Sequence, residues 1–337
     1  MYIRDSQIDK FLSKIGWHGV PHSMLAQDAS FRRYKRITKN GMSAVLMDAP
    51  PPQEDVRPFL QISHTLTRLG LSAPHVYGKD LDVGFLLLED LGDATFSRLL
   101  TDGASPDELY MLAIDVLIEL HRRLRKENLP NDIVSYAREM FFEEAELLVN
   151  WYLPAVLKAS PLRAAQISFH EIWEELFANK FEVPTSLVLR DFHVDNLILL
   201  KGRSGIRGCG ILDFQDAVIG PVSYDFVSLL QDARRDVCSS VVEKMRTRYL
   251  EAFPAIDPHA FDVSCTILAV QRHCKVLGIF TRLRDRDGKD TYLQHTPRLW
   301  RLLEQGLRNP VLGGLKEWFD NYIPKHLRII PAPRTPL

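Results

Sequence analysis

Residues 187–196 read LVLRDFHVDN, and residues 209–216 read CGILDFQD. The first stretch begins as an apolar strand and ends in a polar loop that carries Asp191 and, five residues later, Asn196. The second stretch again begins as an apolar strand, which is followed by Asp213, seventeen residues after Asn196. Polar side chains at the ends of buried strands are typical of functional sites, because loops held by a rigid scaffold carry much of the chemistry of proteins. These two stretches therefore decide both the fold class and the candidate site.

Three short strands are predicted around these polar groups. They span Ser186–Leu189, Leu197–Leu200 and Gly208–Leu212, and a Gly-rich turn joins the last two. A hairpin of the last two strands returns the chain close to its starting point. We therefore expect Asp213 to lie beside Asn196.

The three polar side chains match the requirements of phosphoryl transfer from ATP. That reaction needs a carboxylate that accepts the hydroxyl proton, and oxygen ligands that hold Mg²⁺ against the phosphates. We predict Asp191 as the catalytic base, and Asn196 and Asp213 as the Mg²⁺ ligands. The spacing Asp-x-x-x-x-Asn, followed by an apolar hairpin and Asp-Phe, is that of the catalytic and metal motifs of protein kinases. For Asp195 and Asp216 the sequence leaves two alternatives, a supporting hydrogen bond or a solvated loop carboxylate.

The motifs also carry a family resemblance. RDFHVDNLIL at 190–199, ILDFQDA at 211–217, and the pairs Gly220-Pro221 and Tyr224-Asp225 together resemble the signature of the aminoglycoside and choline phosphotransferases. The resemblance runs from about Asp28 to residue 300. It implies supporting roles for Arg190 and His193 in the catalytic loop, and for Asp225 as a carboxylate that braces the C-terminal lobe.

Further motifs narrow the resemblance. ASFRRY at 29–34, VLMDAPPP at 45–52, FLLLEDLGD at 85–93 and RDGK at 286–289 are similar to those of the anomeric N-acetylmuramate/N-acetylglucosamine kinases of bacterial cell-wall recycling. This similarity implies an amino sugar as the acceptor and its anomeric hydroxyl as the group phosphorylated. A kinase for another small alcohol or an aminoglycoside, or a pseudokinase that only binds, are the alternatives.

The resemblance implies an α+β, bilobal, protein-kinase-like fold. We expect a small β-rich N-lobe with one main helix over 1–91, which covers the nucleotide, and a larger, mostly helical C-lobe over 92–337, with the catalytic loop, the metal site and the acceptor pocket. Asn40-Gly41 predicts a tight hairpin turn before a strand at Ser43–Met47. Helical periodicity is predicted for the first 20 residues, with Ile8, Phe11 and Leu12 on one face.

The nucleotide site is expected at two places in the N-lobe. Ser30, Arg32 and Arg33 occupy the turn that covers the phosphates in this fold, although the turn is not glycine-rich. Their hydroxyl and guanidinium groups suit phosphate oxygens, and a solvated basic turn is the alternative. The connector between the lobes supplies Leu88, Glu89 and Leu91, whose backbone would bond the adenine edge.

One kinase feature is missing from the sequence. Protein kinases place a lysine on the third strand and pair it with a helix glutamate, but the matching positions here are Met47 and about Phe59. Loss of both partners together is physically coherent, since one buried charge without its mate is costly. We predict that Arg32 or Arg33 replaces the lysine.

The acceptor pocket is expected among the C-terminal helices. Residues 272–289 carry six basic and two acidic side chains, a local charge of +4, and from them we predict Arg272, Arg282 and Lys289 as acceptor contacts for an anionic group. A solvated basic surface is the alternative. Glutamates at 139, 143, 144 and 146 would suit a polycationic antibiotic, and a solvated acidic face explains them equally well.

The bulk composition excludes some classes of function. The formal net charge of −1 lacks the basic excess typical of nucleic-acid binders. The charged amino terminus does not resemble a signal peptide, and no membrane helix is expected. Four scattered cysteines without a C-x-x-C pair suit reduced thiols. We expect a cytoplasmic monomer that acts on a small molecule, without nucleic-acid or membrane partners.

Overall fold

The computed structural model describes residues 2–27, 31–125, 128–130, 132–157, 163–178 and 182–332. The chain forms two compact units, each made of two separate segments of the sequence. The first unit runs up to Val116 and takes in Val194–Ala217, and the second contains Leu117–His193 and the residues from Val218 onward. One crossing point between the units therefore lies inside the loop that follows Asp191. The assignment of functions to 1–91 and 92–337 stays a prediction.

The first unit is built on a five-stranded antiparallel sheet with the order β1-β2-β3-β5-β4. Its elements are α1 (Tyr2–Lys14), β1 (His22–Gln27), β2 (Arg33–Lys39), β3 (Met42–Asp48), α2 (Arg57–Arg68), β4 (Val76–Asp80) and β5 (Phe85–Glu89). Asn40 and Gly41 have φ angles of 49° and 79°. Two consecutive positive φ angles define the tight hairpin turn predicted from the sequence.

Side-chain alternation gives the sheet two different faces. On one face Ile37, Leu46 and Leu87 pack against the predicted apolar stripe of α1, where Ile8, Phe11 and Leu12 are 1–3% exposed. The residues between them, such as Val45 and Leu88, point to the opposite face and line a cavity. Helix α1 therefore covers one face of the sheet and leaves the other for a ligand.

The rest of the first unit contains residues 209–216, the second of the two stretches that carry the predicted site. It contains α3 (Phe96–Thr101), the start of α4 (Pro106–Arg123), and a short hairpin of β7 (Leu197–Leu199) and β8 (Cys209–Ile211). Leu197 pairs with Ile211, and the N–H of Leu212 donates to the carbonyl of Asn196 at 2.9 Å. The predicted hairpin is thus present, and it returns the chain from Asn196 to Asp213.

The second unit is mostly helical. After the end of α4 it contains α5 (Arg138–Leu147) with a widened turn over Leu148–Tyr152, α6 (Leu153–Leu157), α7 (Arg163–Ala178), β6 (Thr185–Val188), β9 (Val218–Pro221), α8 (Ser223–Leu230), α9 (Ser239–Ala252), α10 (Pro258–Asp287), α11 (Thr296–Gly306) and α12 (Gly313–Tyr322). Strands β6 and β9 pair antiparallel. One large apolar core, with Tyr152, Trp173 and Leu268 among its members, joins α5, α7, α10, α11 and α12.

Helix α10 is the central helix of this core. By length and composition it is apolar enough to cross a membrane, but 72% of its most apolar window is buried inside the protein. The buried contacts account for the apolar surface of this helix, since core helices are hydrophobic on most sides.

A close crossing of α5 and α10 depends on Gly278. A Cβ at this position would lie 2.3 Å from the carbonyl carbon of Leu147, which is backbone and cannot rotate away. We expect Gly278→Ala to lower the free energy of unfolding by about 3 kcal/mol, the upper range for overpacked cores. Urea melts measure this effect, with Gly314→Ala as the control because nothing lies within 4 Å of its added Cβ. Equal stability of the two variants would show that the crossing is not tight.

Strands β1 and β9 were not predicted from the sequence. In addition, β2 begins at Arg33, inside the stretch that was expected to be a turn. Strand β9 contains Gly220 and Pro221, two residues that are rare in strands. Strand β9 forms because its partner β6 supplies the hydrogen bonds. Since β6 lies in a distant part of the sequence, the local pattern does not predict β9.

Candidate active site

A cavity of about 570 Å³ lies within the first unit. Its apolar walls are Val45 and Leu88 from the sheet, and Ile198 and Leu212 from the β7–β8 hairpin. Polar groups line the remaining side, and they include Asp90, Asp93, Asn196 and Asp213. An apolar slot with polar groups on one side suits a ligand with a flat ring and a charged tail, and its volume is in the range of small-molecule sites.

The predicted connector residues line this cavity. Leu88, Glu89 and Leu91 are all among its lining residues, as we expected. The side chain of Glu89 is engaged elsewhere, since it accepts from Arg203 and from the N–H of His75 at 3.2 Å. The Glu89 side chain is thus held by these partners, and a nucleotide contact through the connector backbone stays a prediction.

Arg36 was not predicted and fixes the same wall of the cavity. Its guanidinium lies 2.7 Å from Asp90 and 2.8 Å from Asp93. The hydrogen bond to Asp93 raises the pKa of Arg36 further above its ordinary value, burial opposes this rise, and the hydrogen bond to Asp90 adds to it. The pair of carboxylates therefore neutralises Arg36 and ties the residues after β5 to strand β2.

The two arginines of the predicted phosphate turn have different environments. Arg32 is 8% exposed, and its guanidinium lies 3.7 Å from Glu54 and 3.8 Å from Asp213. Arg33 is exposed. Ser30 lies outside the described residues. Of the two arginines, Arg32 is therefore the one that approaches Asp213, a residue that lines the cavity.

Glu54 is an acidic neighbour of Arg32. It comes just before α2 and bonds the N–H of Phe31 at 3.1 Å in addition to approaching Arg32. At the positions expected to hold a kinase Lys–Glu pair, Met47 is buried and Phe59 packs against Phe214 with ring centroids 4.8 Å apart. These two positions therefore carry no charge, and an Arg32–Glu54 pair lies elsewhere in the same unit, with one partner just before β2 and the other just before α2.

The predicted metal ligands are adjacent. The amide nitrogen Nδ2 of Asn196 lies 3.5 Å from Oδ2 of Asp213. Gln215, which was not predicted, donates from Nε2 to Oδ1 of Asp213 at 2.8 Å and to Asp216 at 3.2 Å. Asp213 has a φ of 55°, an uncommon conformation for a residue other than glycine. A carboxylate and an amide held together offer the oxygen ligands that Mg²⁺ prefers.

The turn that carries Asp191 belongs to the second unit and is held by its backbone. Arg190 has a φ of 68°. The fully buried carboxylate of Asp225 accepts from the N–H groups of Leu189 at 2.6 Å and Arg190 at 2.9 Å. Burial raises the pKa of Asp225 to about 7, although these two donors lower it. Asp225 thus fixes a strained turn, which is a common feature of functional sites.

The side chain of Asp191 is 40% exposed and lies among cations. Its Oδ1 is 3.5 Å from Nη2 of Arg272. Burial favours the neutral acid, but the charges of Arg272 and Lys275 outweigh burial and hold the pKa of Asp191 well below its ordinary value. Asp191 is therefore an anion at neutral pH. His193 is buried, and burial together with Arg234 lowers its pKa, so its imidazole is neutral there.

Glu144 joins the turn that carries Asp191 to the helical core. It accepts from Arg190, from Tyr136 and from Lys275, the last at 2.8 Å. Burial would raise the pKa of Glu144, but Lys275 and Arg190 lower it to about 2. This glutamate, which had been considered for an acidic acceptor lining, is buried and neutralised.

The three predicted acceptor residues do not form one cluster. Arg272 is buried beside Asp191, whereas Arg282 lies ten residues further along α10, about 15 Å along the axis. Lys289 follows the end of the helix. Their neighbours Arg284 and Arg286 are paired with Asp285 and Asp287 at 2.6 and 2.7 Å. An acceptor role for Arg272, Arg282 and Lys289 stays a prediction.

The chain is similar to known kinases in sequence and in structure. Residues 23–261 match the model of a family described as the phosphotransferase enzyme family. The N-acetylmuramate/N-acetylglucosamine kinase of Caulobacter vibrioides is 34% identical and aligns over 96% of this chain and 98% of its own. The enzyme of the same description from Pseudomonas aeruginosa is 36% identical over 93% of each chain. An ADP-bound aminoglycoside phosphotransferase, APH(2'')-Ib, superposes with a TM-score of 0.60 at 19% identity, over 89% of this chain and 97% of its own.

The fold is of the protein-kinase-like class, and the family model and the curated relatives make the chain a kinase. The chain belongs to the phosphotransferase enzyme family. It is an ATP-dependent phosphotransferase, with a β-rich N-terminal part and a mostly helical C-terminal part. The fold class, the enzyme class and the family predicted from the sequence are confirmed.

Proposed function

We propose that this enzyme transfers the γ-phosphoryl group of Mg·ATP to the anomeric hydroxyl of a cytosolic amino sugar, N-acetylmuramate or N-acetylglucosamine. The observation that carries the proposal is the similarity to two kinases of this description, at 34% and 36% identity over more than nine-tenths of every chain involved. Similarity of this extent covers the acceptor-binding part of the chain as well as the nucleotide site.

In the proposed reaction Asp191 orients the sugar hydroxyl and accepts its proton. The sugar oxygen forms a bond to the γ-phosphorus, the bond between that phosphorus and the β–γ bridging oxygen breaks, and ADP leaves. An ionised carboxylate at neutral pH can accept the hydroxyl's hydrogen bond from the start. Its low pKa makes it a weak base, so the proton moves late, as suits a loose transition state. An anomeric hydroxyl is more acidic than other sugar hydroxyls, so modest help from a base suffices.

Asn196 and Asp213 are the residues that would hold Mg²⁺. Their side chains lie next to each other, and Gln215 fixes one oxygen of Asp213. When bound, Mg²⁺ neutralises charge on the phosphates and on the transferring group. The apolar slot between Val45 and Leu212 would take the adenine ring, and the backbone of Leu88–Leu91 its polar edge.

Arg32 is the proposed contact to the phosphates. It lies close to Asp213, and Glu54 orients its guanidinium, as the helix glutamate orients the lysine of protein kinases. We expect Arg32→Ala to raise KM for ATP about 10-fold or more, the loss typical of a charge-assisted contact. Arg33→Ala is the matched control and should stay within about twofold, because Arg33 is exposed. Steady-state kinetics decide this, and an unchanged KM in both variants would exclude an arginine replacement.

The acceptor is tested by ADP release with a panel of hydroxyl compounds. We expect turnover with N-acetylmuramate and N-acetylglucosamine, and the phosphate at the anomeric carbon in ³¹P NMR spectra of the product. The 1-O-methyl glycosides are the matched controls, since they lack only the anomeric hydroxyl, and they should not react. Turnover of choline, other alcohols or aminoglycosides instead would replace the amino sugar. Binding of ATP without turnover of any acceptor would favour a pseudokinase.

A further inference from the structure

Arg272 lies in the middle of α10 and is 7% exposed. A buried guanidinium loses its hydration, so a folded protein keeps one only where several acceptors replace the lost water. The acceptors around Arg272 therefore indicate what this side chain is for.

Those acceptors are two consecutive residues of the catalytic turn and a tyrosine. Nη1 donates to the carbonyl oxygen of Arg190 at 2.9 Å and to the hydroxyl of Tyr224 at 3.3 Å. Nη2 donates to Oδ1 of Asp191 at 3.5 Å. The guanidinium also lies over the Tyr224 ring, 5.6 Å from its centroid. A single planar group thus contacts both the backbone of the turn and the carboxylate that follows it.

The backbone of this turn has other support. Asp225 accepts from two of its N–H groups, and the hydroxyl of Ser228 donates to the carbonyl of Arg190 at 3.3 Å. The neighbouring cation on the same face of α10, Lys275, donates to Glu144. What Arg272 adds to the backbone bonds is a contact with the side chain of Asp191.

We propose that Arg272 is a positioning residue, which fixes the orientation of the Asp191 carboxylate toward the acceptor hydroxyl. This inference rests on the proposed function only in taking Asp191 as the base, and it holds for any hydroxyl acceptor. Rates fall steeply when a reacting group is misplaced by about 1 Å, without loss of substrate binding. This role differs from acceptor binding, which the sequence suggested for Arg272. If Arg272 bound the acceptor, its substitution would lower the affinity for the acceptor and leave kcat unchanged.

The test separates rate from affinity. For Arg272→Met we expect kcat to fall about 10- to 100-fold, with KM for ATP and for the acceptor within about threefold of wild type. Arg272→Lys keeps the charge but not the planar fork, and should recover part of kcat, which also guards against a variant that does not fold. Addition of ethylguanidinium should restore part of the rate of Arg272→Ala, and should have no effect on Asp191→Asn.

Arg284→Met is the matched control. Arg284 is on the same helix, its side chain is 8% exposed, and it contacts Asp285 and the carbonyl of Pro331. We expect this variant to lose thermal stability as Arg272→Met does, with an unchanged kcat.

Three results would overturn the inference. A raised KM for the acceptor with an unchanged kcat would assign Arg272 to acceptor binding. If Arg284→Met loses as much kcat as Arg272→Met, the role of Arg272 is structural. The same conclusion follows if ethylguanidinium does not rescue Arg272→Ala and Arg272→Lys is inactive. If wild type uses an acceptor other than an amino sugar, the proposed substrate is wrong, but the same comparison with that acceptor still tests Arg272.

Discussion

Asp191→Asn is expected to lower kcat by about 100-fold or more, with little change in KM for ATP. Asparagine has the size of aspartate, so the turn held by Asp225 and Arg272 keeps its shape. The amide cannot accept the hydroxyl proton, and it does not compensate the charge of Arg272 as the carboxylate does. Because chemistry becomes slower while the cavity of the first unit is unchanged, the loss should fall on kcat.

The matched control for this variant is Asp195→Asn, in the same loop. Asp195 could support the loop or could be a solvated carboxylate, and neither role requires it to accept a proton. We expect its kcat to stay within about tenfold of wild type. Steady-state rates with the best acceptor of the panel measure both variants. A loss of kcat that is larger for Asp195→Asn than for Asp191→Asn would assign the role of base to Asp195.

Asp213→Asn is expected to lower turnover by about 100-fold or more at saturating ATP and to raise the Mg²⁺ concentration needed for half-maximal rate. The substitution removes the negative charge next to Asn196 and keeps the size of the side chain. A ligand without charge binds Mg²⁺ less tightly, so part of the rate should return at high Mg²⁺.

Asp216→Asn controls for disturbance of this turn. Both Asp213 and Asp216 accept from the amide of Gln215, but Asp216 is exposed. Initial rates over a range of Mg²⁺ concentrations should place Asp216→Asn within about threefold of wild type. If Asp213→Asn keeps the Mg²⁺ dependence of wild type, Asp213 is not a metal ligand.

The parts of the structure that follow from local sequence were predictable. The hairpin that returns Asp213 to Asn196 follows from two apolar runs around a Gly-rich turn, and the β2–β3 turn follows from Asn40-Gly41. Helix α1 follows from apolar residues at helical spacing. In each case a few neighbouring residues determine the backbone conformation, so the pattern contains the answer.

The charged partners could not be predicted, because they meet across long sequence distances. Arg190 and Lys275 reach Glu144 from 46 and 131 residues away, and these three groups form a buried cluster that includes one of the four glutamates of α5. The proximity of Glu54 to Arg32 likewise joins two residues that are 22 positions apart, one just before α2 and one just before β2. Spacing within one helix gives no sign of such contacts. Protein kinases carry this glutamate inside the helix, where α2 has Phe59, whereas Glu54 precedes α2.

The most direct test of the proposed mechanism is a crystal structure of the enzyme with Mg²⁺, a non-hydrolysable ATP analogue and the amino sugar. We predict Asn196 and Asp213 among the ligands of the metal, and the carboxylate of Asp191 hydrogen-bonded to the anomeric hydroxyl. A metal held by other side chains, or an acceptor whose anomeric hydroxyl lies away from Asp191, would contradict the mechanism.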